Sequence, residues 1–189
     1  MKKTILFVVA ALLAQVTTAQ IWKQEATGDM NHDGIRDSVV VSDSVENERT
    51  APVLAIYFGS ESGRLNLWRR YEALIPASDS ITFYETDLTI TERGVLRITV
   101  SSFSAMGSAY SYWQTSVFRF QDNDFYCIGK DTRAMSRMTG EEVTESFNYL
   151  TCKCQRIVSN VFDEDVKPRE TWRRIPKQAL RRLGEEELF

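Results

Sequence analysis

Short apolar or alternating runs, cut by turn residues at close intervals, constrain the fold of this chain more than any other feature. Ser38–Ser42 (SVVVS) and Val53–Phe58 (VLAIYF) are continuous apolar segments, as buried strands require. Asp87–Thr91 and Val95–Ser101 flank Glu92-Arg93-Gly94. Leu88 and Ile90 on one side, and Leu96, Ile98 and Val100 on the other, alternate with polar residues at period two, which is a hairpin signature. Ala109–Gln121 is a long aromatic strand, Asp122-Asn123-Asp124 turns it, and Phe125–Lys130 resumes. Leu65–Tyr71 reads as another strand, and Glu145–Val158 as an alternating one with Leu150, Cys152 and Cys154 on one face. The pattern predicts a mainly β single domain of about seven to nine antiparallel strands, in a twisted sheet, a sandwich or a partial propeller.

A helix is expected only late. Ile175, Ala179, Leu180 and Leu183 recur at helical spacing, Pro176 suits a first helical position, and Gly184 suits a stop. The spacing predicts one C-terminal helix near 176–183 that packs on the domain. Arg173, Arg174, Lys177, Arg181 and Arg182 would face solvent, partly offset by Glu185–Glu187.

The first twenty residues, MKKTILFVVAALLAQVTTAQ, have the layout of a secretory signal peptide. Lys2 and Lys3 form a basic start and Thr4–Ala14 a nearly unbroken apolar run. Thr17 and Ala19 are small residues at −3 and −1, so residues 1–19 are expected to be removed before Gln20. The apolar run falls short of the roughly 20 residues that span a bilayer, and no second such segment follows. The chain is therefore expected to be exported, periplasmic or secreted, without a membrane span. The exported part keeps 21 basic against 26 acidic residues, a net charge of −5, which offers nothing to nucleic acid.

Cys127, Cys152 and Cys154 allow at most one disulfide in an oxidising compartment. Either Cys152 or Cys154 could meet Cys127 on a neighbouring strand. Zinc is not expected, because no Cys-x-x-Cys is present and the single histidine is distant.

The segment richest in chemistry is Gly28-Asp29-Met30-Asn31-His32-Asp33-Gly34-Ile35-Arg36-Asp37, which runs directly into SVVVS. Asp29, Asn31, Asp33 and Asp37 fall at positions 1, 3, 5 and 9 of a calcium loop. Gly34 stands at the sharp-turn position, and Ile35 would offer its carbonyl at position 7. Alternating acids on a tight loop can converge their oxygens on one hard cation. A helix–loop–helix hand would need a bidentate acid at position 12, where Val40 stands, so the loop must run into a strand. The same residue types also suit a polar turn held by Asx hydrogen bonds.

GDMNHDGIRDSVVV followed by LAIYFGSESGRL resembles one FG-GAP (VCBS-type) repeat of integrin-like β-propellers, over residues 28–66. The resemblance implies one structural calcium ion held by Asp29, Asn31, Asp33 and Asp37, with Ile35 through its carbonyl. A propeller repeats this unit several times, and here the sequence carries one copy.

Catalytic candidates are sparse. His32 is the single histidine and occupies a spacer position of the loop; no Gly-x-Ser-x-Gly elbow exists. Trp22, Trp68, Trp113 and Trp172, with Tyr110 and Tyr112, are expected mainly in the core, although a sugar-stacking or protein-contact patch could use them. Two functions fit. One is an exported, non-catalytic, calcium-stabilised module that binds a protein or carbohydrate ligand or serves envelope structure. The other is an exported glycosidase-like hydrolase using a carboxylate pair.

Overall fold

The computed structural model describes residues 22–46, 49–106 and 108–189, so the expected signal peptide at 1–19 lies outside the described residues. Two antiparallel sheets make up the fold. The small one contains β1 (Trp22–Gly28), β2 (Asp37–Glu46), β3 (Arg49–Gly59) and β4 (Leu65–Glu72), in the order β1-β2-β3-β4. The large one contains β5 (Thr82–Ile90), β6 (Leu96–Ser104), β7 (Tyr110–Gln121), β8 (Asp124–Ser136), β9 (Glu141–Asn148), β10 (Lys153–Asn160) and β11 (Arg169–Arg174), in the order β11 back to β5. Every strand thus pairs with its sequence neighbour, and neither sheet closes into a barrel.

The core lies where the sheets face each other. Val39, Val41, Leu54 and Ile56 of the small sheet meet Leu88, Leu96, Ile98, Val100 and Phe118 of the large one. Their period-two spacing sends each set to one side of its sheet, and burial of each side chain contributes about 1.5–3 kcal/mol. Phe58 and Trp68 of the small sheet pack against Phe120 and Phe125 of the large one, with ring centroids 5.1 Å apart for Phe58–Phe120 and 5.4 Å for Trp68–Phe125. Between β7 and β8 the turn residues Asp122 and Asn123 both take positive φ, 48° and 59°. Paired left-handed residues match the twist of a two-residue hairpin.

The described residues form eleven strands, more than expected. The Glu145–Val158 run is two strands, because Tyr149–Cys152 turns between β9 and β10. Cys152 adopts φ 54° in that turn and does not share a strand face with Cys154. All three cysteines are free thiols.

The C-terminal helix near 176–183 is absent; only a 3-10 turn at Leu183–Glu185 stands there. The segment is instead an extended strap on β8. Its Arg181 carbonyl accepts the Cys127 N–H at 2.8 Å, and Arg182 bridges Tyr126. Leu183 and Leu188 are the apolar residues it buries. Five residues apart, they would diverge by about 140° on a helix, whereas the strap sends both inward. Lys130 pairs with the buried Glu186 at 2.5 Å, and Gln114 donates to the Glu187 carbonyl at 2.8 Å. Tertiary contacts therefore override a modest helical pattern.

Candidate metal-binding loop

Gly28 and Asp37 are register partners, so residues 29–36 close the hairpin between β1 and β2. Asp37, wholly buried, fastens the loop: its Oδ2 accepts the Met30 N–H at 2.7 Å and its Oδ1 the Gly59 N–H at 3.0 Å. Burial pushes its carboxyl above the ordinary carboxylate range, against the lowering effect of the Gly59, Met30 and Asn31 amides; the nearby Asp33 charge adds to the rise. Asp29 Oδ2 accepts the Gly34 N–H at 3.0 Å, while its Oδ1 is buried with no hydrogen-bond partner among the described residues.

Asn31 and Asp33 serve the loop itself. Asn31 Oδ1 accepts the Asp33 N–H at 3.1 Å, Asp33 Oδ1 accepts the Ile35 N–H at 2.8 Å, and Asn31 Nδ2 donates to Asp33 Oδ2 at 2.9 Å. The first two are Asx-type bonds. His32 and Gly34 take positive φ, 63° and 83°, which tightens the turn. Among the described residues, no group of three or more His, Cys, Asp or Glu side chains is placed to hold a metal ion. The structure thus puts Asp29, Asn31, Asp33, Ile35 and Asp37 on one tight loop, with the oxygens of Asn31 and Asp33 turned to loop amides.

The loop is wedged at the junction of the sheets. Met30 is fully buried in the shared core. A methyl group added to Gly94, in the β5–β6 turn, would lie 2.5 Å from the Asp29 carbonyl oxygen and 2.9 Å from the His32 ring. One added to Gly59, at the end of β3, would lie 2.4 Å from the Arg36 carbonyl oxygen. The loop therefore touches the backbone of both sheets. Sequence reasoning missed these two glycines, whose only signal was their place beside strand ends.

The aromatic residues divide. Trp68 packs on the core and Trp113 is half-buried beneath the Arg133 guanidinium, 4.6 Å from its ring centroid. Contrary to the expected core placement, Trp172 is 61% exposed, and Tyr110 and Tyr112 are exposed and stacked with centroids 6.0 Å apart. Trp172 lies on an edge strand, and Tyr110 and Tyr112 at the start of β7. The Trp22 side chain lies outside the described residues.

Comparison with protein-family models, with curated proteins and with solved structures finds no match.

Proposed function

We propose that this chain is an exported, non-catalytic, calcium-stabilised β-rich module that acts in binding or in envelope structure, its loop being a single FG-GAP/VCBS-type calcium loop. The observation that carries the reading is the buried, unpartnered Oδ1 of Asp29 in a loop whose candidate ligands all offer oxygen. Asp29, Asn31, Asp33 and Asp37, with the Ile35 carbonyl, would hold the ion. Hard oxygens suit calcium, and an oxygen that accepts one hydrogen bond keeps a second lone pair for another partner. Bound calcium would supply the positive charge that offsets the repulsion between Asp33 and the buried Asp37. Because the loop touches both sheets, such an ion would stiffen their junction. No helix among the described residues is long and apolar enough to cross a membrane, and the ligand classes in view are a protein or a carbohydrate.

Calorimetric titration of calcium into chelator-stripped protein tests the reading. One ion per chain is expected, with the heat lost in an Asp29→Ala/Asp33→Ala variant. Absence of saturable heat in the parent would leave a polar turn.

A second reading draws on one observation. A cavity of about 530 Å³ between the sheets is lined by residues that include Asp43 and Glu85, with Gln24 and Tyr84. An exported glycosidase-like hydrolase would work there. Glycosidase assays on β-linked oligosaccharides, with Asp43→Asn and Glu85→Gln controls, decide it: turnover abolished by both variants supports a hydrolase, and no turnover removes it.

A further inference from the structure

The face of the large sheet that points away from the small sheet carries a row of side chains the loop does not use. Strand register aligns Thr99, Thr115, Asp131, Ser146, Gln155 and Trp172 across six strands. At the strand spacing of a sheet the row is about 24 Å long, room for several sugar rings. One step along, Lys153 of β10 stands opposite Arg174 of β11, on the same face as Gln155 and Trp172. A depression of about 440 Å³ runs along this face, with Arg97, Asp131, Lys153, Gln155 and Trp172 in its lining.

Two features of the row point to a ligand. The first is charge. Like charges directly opposite on neighbouring strands repel, and the ion pairs of this edge, Arg156–Glu145 and Arg173–Glu145, involve the other face. On this face β11 adds Arg174 and Glu170 beside Trp172, while its Arg169 and Arg173 are on the other face. An anion would relieve the Lys153–Arg174 repulsion. The second is the indole. Trp172 is 61% exposed, yet held: its Nε1–H donates to Glu170, which also accepts from Gln155 Nε2 at 3.0 Å. A fixed, bare aromatic plane beside amide, hydroxyl and carboxylate groups suits sugar rings, whose hydroxyls both donate and accept.

We infer that this face binds an acidic oligosaccharide: the Trp172 ring stacks on a sugar, Gln155, Ser146 and Asp131 meet hydroxyls, and Lys153 with Arg174 takes a carboxylate or sulfate. This names a ligand class for the binding-module reading and rests on that reading, though not on calcium.

Fluorescence titration of the full exported protein tests it, with a galacturonate hexamer and a chondroitin sulfate hexasaccharide as probes. Cellohexaose serves as the neutral control and phosphatidylglycerol vesicles as the lipid arm. Each titration is run with calcium and with chelator. At least one acidic probe is expected to bind about tenfold or more tightly than cellohexaose, more weakly as salt rises. Trp172→Ala should lose about tenfold and Trp172→Phe should retain binding. A Lys153→Gln/Arg174→Gln pair should bring the acidic probe to the neutral level, and Arg64→Gln, in the turn between β3 and β4 of the small sheet, should change nothing. Equal affinity for neutral and acidic probes, binding to vesicles alone, or no binding overturns the inference. A calcium-independent acidic-probe signal would keep it standing even where the calcium titration fails.

Discussion

Replacing Asp37 tests whether one buried carboxylate fastens the loop to both of its neighbours. Asp37→Ala strands the buried Met30 N–H and the part-buried Gly59 N–H, which Asp37 receives at 2.7 and 3.0 Å. Each stranded donor costs about 1–3 kcal/mol. Removing a carboxylate whose ionisation is itself disfavoured by burial returns part of that cost, so the net loss should be about 2–4 kcal/mol. Asp37→Asn keeps one acceptor but presents an amide N–H₂ to the second donor, and should cost about 1–3 kcal/mol. Against a total stability of about 5–15 kcal/mol for a domain, both are measurable by urea unfolding with an unchanged slope. The sign of the pH effect follows from the raised pKa. Without calcium, the contribution of Asp37 is fully present below its ordinary value of 3.8 and is lost as pH rises through its folded value. Asp37→Asn should flatten that slope. An alanine variant within about 0.5 kcal/mol of the parent, a change typical of an unimportant surface site, would refute the reasoning.

Gly94→Ala should destabilise the fold by more than about 2 kcal/mol in thermal unfolding, because a side chain at φ 69° is strained and its methyl would meet the Asp29 carbonyl. Leu188→Ala should cost about 2–5 kcal/mol in urea unfolding, since this near-terminal residue is 1% exposed; a surface-like value would mean the strap is not part of the core. Burial pushes the Cys127 thiol up to about 11, so its contribution is intact below pH 9 and is lost as pH rises toward 11, at about 1.4 kcal/mol per unit. Alkaline unfolding of parent and Cys127→Ala checks this, and the slope should be shallower in the variant. Iodoacetamide should label the half-buried Cys152 of the native protein before the buried Cys127 and Cys154, as peptide mapping would show.

Period-two alternation gave away the strands that line the core, because those side chains answer to a single buried face. Leu88, Ile90, Leu96, Ile98 and Val100 were legible for that reason. The two strands left unread, β1 and β11, sit at sheet edges, and β11 is exposed along its length, so no apolar alternation marks it. The turn at Tyr149–Cys152 hid inside an alternating run because it contains no Gly or Pro; left-handed Cys152 does that work instead. The helix expected near 176–183 failed because Leu183 and Leu188 find burial on β8 without helical geometry. At the candidate site, loop composition was readable from the spacing of Asp29, Asn31, Asp33 and Asp37. Its position was not: contacts with Gly59 and Gly94 join residues far apart in sequence. The exposed row ending in Trp172 was equally invisible, because register across six strands decides which residues share it.

The central claim, that a calcium loop pins the two sheets together, is tested most directly by thermal unfolding of residues 20–189 with calcium and with excess chelator, beside Asp29→Ala/Asp33→Ala. The account predicts a melting temperature that rises with calcium concentration in the parent, as a ligand bound only to the native state requires, and no rise in the double variant. An identical melting temperature in calcium and chelator would contradict it.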